Sequence, residues 1–419
     1  MLDFDPLDLC DAGRYGTKGY PHDIWRQLRR HDPVHWCEPE GYRPFWAVTR
    51  HEDVKAISTH PERYSSEPRL ALAPTASEQM AIEMFPDSAG RSGVPLRMLV
   101  NMDPPDHRTY RHLAGPYFRP QILKNLEERV GEITDLLLDR WAGQGVELDF
   151  VADFASWHPL KMICEIIGVA SQDEGVILRL TNELFGIFDP DFARGSPDDQ
   201  TAALGLITEL FGYFWDLVQD RRANPREDLA SVLSHATVDG EELPPVELLS
   251  YFVLVATAGH DTTRNAISSG LRALVEHPDQ LALLRQQPEL APRAADEIVR
   301  WASPVIHFIR TAVEDCELRG KRIAAGDALC LFYPSANRDE EVFEDPFAFR
   351  VDRDPNPHVG FGIGEHYCLG ASLARMEIRV LLEHLVPRLA SVELVGEPEL
   401  THAHFVGGHK HLPIRWTLA

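Results

Sequence analysis

The chain has 419 residues, 44% of them hydrophobic, enough for a large core and, by length alone, for two or three domains. Its 41 Lys and Arg against 65 Asp and Glu leave a net charge of −24, which excludes a general nucleic-acid binder. Six cysteines (Cys10, Cys37, Cys164, Cys316, Cys330, Cys368) show no paired spacing, the usage of a reducing cytoplasm and not of a disulfide scaffold.

The start, Met1-Leu2-Asp3-Phe4-Asp5-Pro6, is acidic and lacks the apolar core of a signal peptide. The longest apolar stretches fall far short of a bilayer span, so a soluble, cytoplasmic protein is expected. Pro44–Val48 and Ala328–Phe332 read as short strands; long amphipathic segments at Leu123–Trp141, Ala202–Arg222, Pro245–Glu276 and Leu369–Val386 dominate. With no linker, repeat or low-complexity tract, the pattern predicts one mainly α unit over 1–419 with small β-sheets.

In Asp103-Pro104-Pro105-Asp106-His107-Arg108-Thr109-Tyr110-Arg111, Asp103 is a candidate helix cap and the prolines suit the first turn. His107 and Arg111 then stand one turn apart, a pair suited to a carboxylate, although a solvated basic face would look the same. Residues 107–119 carry His107, Arg108, Arg111, His112 and Arg119 with no carboxylate among them, a local basic patch on an acidic chain.

Inside the run Pro245–Glu276, Val255, Ala258, Gly259 and Thr262 share one helical face, small and mostly apolar with a single hydroxyl. A mid-helix glycine costs about 1 kcal/mol relative to alanine, and a threonine can bond back to the carbonyl four residues earlier, here Ala258. Such a face makes room for a small ligand or, equally, for a close helix–helix crossing. Asp261 beside Thr262 supplies an ionisable group for proton delivery. His260 and, further on, His307 have no readable role.

Glu297 and Arg300, three apart after Pro292, can pair on one helical face, an arrangement more often exposed and weak. Finally, Phe361-Gly362-Ile363-Gly364-Glu365-His366-Tyr367-Cys368-Leu369-Gly370 sets one cysteine between a glycine-rich loop and an amphipathic helix. The helix N-terminus favours a thiolate, and Gly360, Gly362 and Gly364 leave room for a flat, bulky cofactor. By itself the cysteine is as compatible with a small buried hydrophobe on a glycine turn.

The last pattern, Phe-Gly-x-Gly-x-His-x-Cys-x-Gly, resembles the haem-binding signature of the cytochrome P-450 haem-thiolate monooxygenases. Ala258-Gly259-His260-Asp261-Thr262-Thr263 matches that family's Ala-Gly-x-Asp-Thr-Thr element, and Glu297–Arg300 its Glu-x-x-Arg element. The resemblance runs from Tyr42–Val48 to Phe405-Val406-Gly407-Gly408. It implies the cytochrome P-450 fold, with a long central helix over haem b (iron protoporphyrin IX) and small β-sheets.

By the same resemblance Cys368 is the axial iron ligand, with Phe361 and Gly362 in its loop, and Thr262 and Asp261 bind oxygen and relay protons. His107, Arg111, Arg310 and His366 hold the propionates, and Glu297, Arg300 and Arg353 brace the cysteine loop. Val100, Val255, Ala258, Val305, Phe308 and Val406 line a mostly apolar pocket, implying a small or medium hydrophobic substrate such as a terpenoid or aromatic hydrocarbon. Tyr251–Thr263, Ser335–Phe343 and Phe405–Gly408 are similar to the α-terpineol monooxygenase subfamily, while Leu70–Leu99 and Phe185–Ser196 yield no reading.

The implied reaction inserts one atom of dioxygen into a carbon–hydrogen bond. The implied partners are a ferredoxin of the 2Fe–2S type and its NAD(P)H-dependent reductase, the basic patch being the expected docking point. A peroxygenase fits the acid–threonine pair less well. A haem protein without turnover, or a hydrolase with Cys368 as nucleophile and His366 as base, are the alternatives; the hydrolase leaves Glu297–Arg300 and Asp261–Thr262 unexplained.

Overall fold

A computed structural model of the protein describes residues 3–86, 96–119, 124–196 and 199–419. Nine helices position the site: α1 (His51–Ser58), α2 (Asp106–Ala114), α3 (Glu127–Arg140), α4 (Trp157–Ile167), α5 (Glu174–Phe185), α6 (Gln200–Ala223), α7 (Pro245–Glu276), α8 (Ala291–Ala302) and α9 (Ala371–Arg388). The 32-residue α7 begins on Pro245, whose missing N–H costs nothing in a first turn. It ends at His277, which the following Pro278 drives out of helical geometry (φ −123°, ψ 71°). Most of its residues are buried, with α4, α8 and α6 packed around it.

The helical expectations hold to within a few residues at these four segments. The first began at Leu123, which lies outside the described residues; a 3-10 turn over Lys124–Leu126 leads into α3. Asp103 does not cap α2: the N-cap is Pro105, so both prolines precede the helix. The Asp103 carboxylate accepts instead from the Ser66 amide at 2.7 Å and from the Ser65 hydroxyl, tying α2 to a distant strand.

The helix α6 also corrects the expectation about span length. It is long and apolar enough to cross a membrane, with mean hydropathy 1.2 in an 18-residue window, the one such helix among the described residues. In the fold Leu206, Leu210, Phe214 and Val218, spaced by four, are buried, and Phe214 stacks on Phe252 of α7 at 5.3 Å.

The strands β1 (Val34–Cys37), β2 (Phe45–Val48), β3 (Tyr64–Ser65), β4 (His307–Ala312) and β5 (Ala328–Phe332) form a sheet in the order β1-β2-β5-β4-β3. All pairs are antiparallel except β2–β5, and β5 is buried at every residue. Along β4 the two-residue period sends Phe308 and Arg310 to the cavity described below, and Ile309 into the core around Trp25 and Phe332. His307 is fully buried; its Nε2 accepts from the Leu72 amide at 3.0 Å and its ring stacks on His404 at 6.0 Å. Its place is structural, anchoring β4 to the segment before α2.

Candidate active site

Between α7 and the start of α9 lies a cavity of about 1450 Å³ of empty space, its open mouth included. Cys368 stands on one wall. On another is the face of α7 formed by Val255, Ala258, Gly259 and Thr262, joined by Leu254 and Ala266. The Thr262 hydroxyl donates back to the Ala258 carbonyl at 3.0 Å. Gly259 also serves a helix crossing, since a Cβ there would sit 2.5 Å from Ile163 Cγ1 of α4. Both readings of that small face therefore hold at once.

The cysteine loop is fixed by its own backbone. The Cys368 amide donates to the Phe361 carbonyl at 2.9 Å, and the Gly362 amide to Val359 at 2.9 Å. Gly362 (φ 69°) and Gly364 (φ 76°) occupy the left-handed region. At Gly364 a Cβ would lie 2.3 Å from the Ser58 carbonyl oxygen, so the loop rests on the end of α1. Asn337 joins the loop to α8: its side chain accepts from the Val359 amide at 2.7 Å and donates to Ser303 Oγ at 2.9 Å.

Cys368 is exposed by surface area, yet that surface belongs to the cavity and the sulfur lies deep in the protein. Burial pushes its thiol up, opposed by the Gly370 amide, Arg111 and Arg375. The helix N-terminus thus does not by itself make a thiolate here; a cation at the sulfur would be needed.

Beneath the loop Glu297 and Arg300 are fully buried, joined by two contacts of 2.7 Å. Arg353 reaches Glu297 at 3.0 Å, and Arg300 also donates to the carbonyls of Asn337 and Pro346. The pair is internal, unlike the exposed pairs that such spacing usually marks.

Four basic side chains, His107, Arg111, Arg310 and His366, meet at the cavity rim. The rings of His107 and His366 lie 4.3 Å apart. Burial, then Arg310, His107 and Arg111, push the His366 imidazole down to about 2, and burial and Arg111 hold His107 below its ordinary value. Arg310 is buried and donates to its neighbour's carbonyl, Ile309, at 2.8 Å. His107 Nδ1 is buried without a hydrogen-bond partner, 3.9 Å from Glu365 Oε2. Two arginines crowded with two imidazoles, one of them with a buried unpartnered nitrogen, are the complement of an anionic group. A thiol over a glycine cradle, an apolar wall and this rim together fit haem, with its flat ring and two carboxylates.

Val100, Val255, Ala258, Val305 and Phe308 line the cavity. Val406 does not reach the wall; it is buried behind Val305, bridged to it as a β-pair. Among lining residues that sequence reasoning missed are Leu99, Phe118, Ile163, Tyr333 and Glu377. Glu377 is buried with both carboxylate oxygens unpartnered, and burial pushes its carboxyl well up. On a helix that also carries Arg375, Arg379 and Glu383, one more carboxylate gave the sequence no signal to read. Asp261 is fully buried but lies off the cavity wall, turned toward His260 and Arg264. His366 makes a poor catalytic base, being held neutral with Nε2 against Ser66 Oγ at 2.8 Å.

The sequence matches the family described as Cytochrome P450 over residues 89–403. The chain belongs to the cytochrome P450 family. As a cytochrome P450 it takes haem as cofactor and is a monooxygenase, an oxidoreductase. This P450 is 39% identical over 96% of its length to Cytochrome P450-terp of a Pseudomonas species, covering 94% of that protein. It is 37% identical to linalool 8-monooxygenase of Pseudomonas putida, covering 97% of this chain and 98% of the other. The crystal structure of CYP108D1 from Novosphingobium aromaticivorans superposes with a TM-score of 0.89 at 36% identity, over 99% of this chain and 98% of that one. The P450 fold, mainly helical with small sheets, and the terpene-linked bacterial relatives agree with the expectation from the motifs.

Proposed function

We propose that this P450 hydroxylates a small or medium hydrophobic substrate, a terpenoid or aromatic hydrocarbon, with electrons from a 2Fe–2S ferredoxin and its NAD(P)H-dependent reductase, in the cytoplasm. The observation that carries the reading is the apolar wall of Val100, Val255, Ala258, Val305 and Phe308 around the Thr262 hydroxyl, in the same cavity as Cys368. Terpenoid chemistry draws support from the printed names of the Pseudomonas relatives.

When bound, haem supplies the activation of dioxygen. Cys368 would hold its iron, and His107, Arg111, Arg310 and His366 its carboxylates, each hydrogen bond from an arginine contributing about 1.5–3 kcal/mol. Phe361 and Gly362 shape the loop that would receive the ring. The apolar wall orients the substrate and excludes water, so that polar groups near it act in a low dielectric. Thr262 offers a hydroxyl whose bond to Ala258 can be exchanged for one into the cavity, and Asp261, its neighbour in the chain, is the carboxylate that would pass it a proton. Glu297, Arg300 and Arg353 keep the cysteine loop in place and take no part in the chemistry.

The deciding experiment is spectroscopic. The dithionite-reduced protein with carbon monoxide should show a strongly red-shifted Soret band that Cys368→Ala abolishes. Monoterpenols and small aromatic hydrocarbons should perturb the ferric Soret band at micromolar concentration and be hydroxylated with a ferredoxin and reductase. A red-shifted band with binding confined to long-chain or charged compounds would overturn the substrate class.

A further inference from the structure

His260 sits between two oxygens. Its Nδ1 lies 3.3 Å from the Ala256 carbonyl and its Nε2 3.4 Å from Asp261 Oδ1. Neutral imidazole carries one N–H, so one of these two contacts always lacks a hydrogen; only the doubly protonated ring serves both. Residue and partner are fully buried, with neither His260 Nε2 nor either Asp261 oxygen hydrogen-bonded. Arg264 Nη2 stands 2.9 Å from Asp261 Oδ1, an ion pair without hydrogen-bond alignment.

The balance of the site is close. Burial and Arg264 oppose a second ring proton, while Asp261 and the Ala256 carbonyl favour it, leaving the imidazole below its ordinary value of 6.5. The charged residues of α4 and α5 are engaged elsewhere. On α4 Lys161 pairs with Glu174 at 2.6 Å and Glu165 with Arg129 at 2.8 Å; on α5 Glu183 pairs with Arg179 at 3.0 Å. What α5 presents to the group is neutral Asn182, whose Oδ1 accepts from Arg264 Nη1 at 2.6 Å. Asn182 also borders a surface crevice with Trp157, Gly175 and Leu178. Arg264 and Asn182 in series therefore separate the buried pair from that crevice.

We propose that His260 and Asp261 hold one exchangeable proton between them, and that this store reloads Asp261 from water entering at the Asn182 crevice. A proton given up by Asp261 toward Thr262 is replaced from His260 Nε2–H, and the ring recovers it from water; one proton enters for each that leaves, and no electron moves. Asn182 fixes Arg264, and Arg264 decides whether Asp261 is bound outward or free. His260 acts through Asp261 and is a positioning residue in that sense. The inference rests on the monooxygenase reading.

The test uses the holoprotein with ¹⁵N-labelled histidine in its reduced, carbon monoxide-bound, diamagnetic form. Ring ¹H–¹⁵N correlations, assigned by their loss in His260→Gln, report the protonation of both nitrogens. The expected result is a second ring proton on His260 as pH falls below 6.5, with the titration moved to lower pH in Asp261→Asn. A ring that keeps a single proton over the folded pH range, or one unmoved by Asp261→Asn, would overturn the proposal. In turnover, His260→Gln should retain haem and substrate binding, divert several-fold more oxygen to peroxide and shift the acid limb of the pH profile; Asn182→Ala should shift that limb alone. If His260→Gln folds poorly, His260→Asn takes its place. Normal coupling and an unshifted profile in these variants, beside a Thr262→Ala that uncouples, would defeat the proton store and leave the monooxygenase reading standing. Absence of any hydroxylated product from the wild-type chain would defeat that reading, while the ring titration would still decide the shared proton.

Discussion

Thr262 has one hydroxyl and two places to send it, the Ala258 carbonyl at 3.0 Å or the cavity it borders. Thr262→Ala removes the cavity-side option without disturbing the helix, so haem and substrate binding should persist while oxygen consumption is diverted to peroxide. Measuring peroxide against product checks this, and full coupling in the variant would refute the role. A second residue-scale expectation concerns acid. His158 is fully buried, donor or acceptor to Thr134 Oγ1 at 2.9 Å, and burial pushes its imidazole down to about 4 from 6.5. Because the folded state prefers the neutral ring, stability is whole above pH 6.5 and falls as pH drops toward 4, by about 1.4 kcal/mol per pH unit. His158→Gln should flatten that limb of a Tm-against-pH curve. Legibility at this scale followed chemistry with a pattern: Cys368 between glycines and a helix was visible, and so were Asp261 and Thr262. Glu377 was not, because a carboxylate that makes no pair leaves no spacing to read, and Val406 was assigned to a wall from which Val305 shields it.

Among elements, the crossing of α7 on α4 is the most closely fitted. A methyl at position 259 would meet Ile163 Cγ1 at 2.5 Å and Cδ1 at 2.6 Å, so Gly259→Ala should cost about 1–3 kcal/mol by overpacking. Ile163→Ala in the same chain should recover part of that loss, a coupling that a double-mutant cycle in urea would measure. Under the cysteine loop, Glu297→Gln would leave Arg300 and Arg353 without their shared carboxylate, and a loss of about 3–5 kcal/mol with haem release on heating is expected. The boundaries of α7 were readable because proline marks both ends, Pro245 and Pro278. The beginning of α2 was misread because the Asp103 carboxylate serves Ser65 and Ser66, partners thirty-odd residues away that local capping rules do not see. Tertiary demand took a side chain that propensity had allotted to the helix.

At the scale of the whole molecule, an acidic chain of net charge −24 presents a small basic face from α2. Arg108 on that face is bound to Glu365, and Arg111 donates to the Tyr367 carbonyl at 2.7 Å, so the sequence overstated the free charge there. Arg119 and His112 remain exposed. An acidic electron donor should therefore feel Arg119→Glu as a slower, less salt-dependent reduction with substrate binding unchanged; stopped-flow rates that do not move would remove this face from consideration.

One contact joins parts of the chain that are far apart in sequence. Gly364, just before the cysteine, lies against the Ser58 carbonyl at the end of α1, too close for any side chain. Anyone recombining this protein with a homologue must then inherit residues near 58 and near 364 from one parent, because a shift of α1 in a chimera would displace the cysteine loop. Chimeras joined between these two positions should lose haem even when every residue of the loop itself is retained.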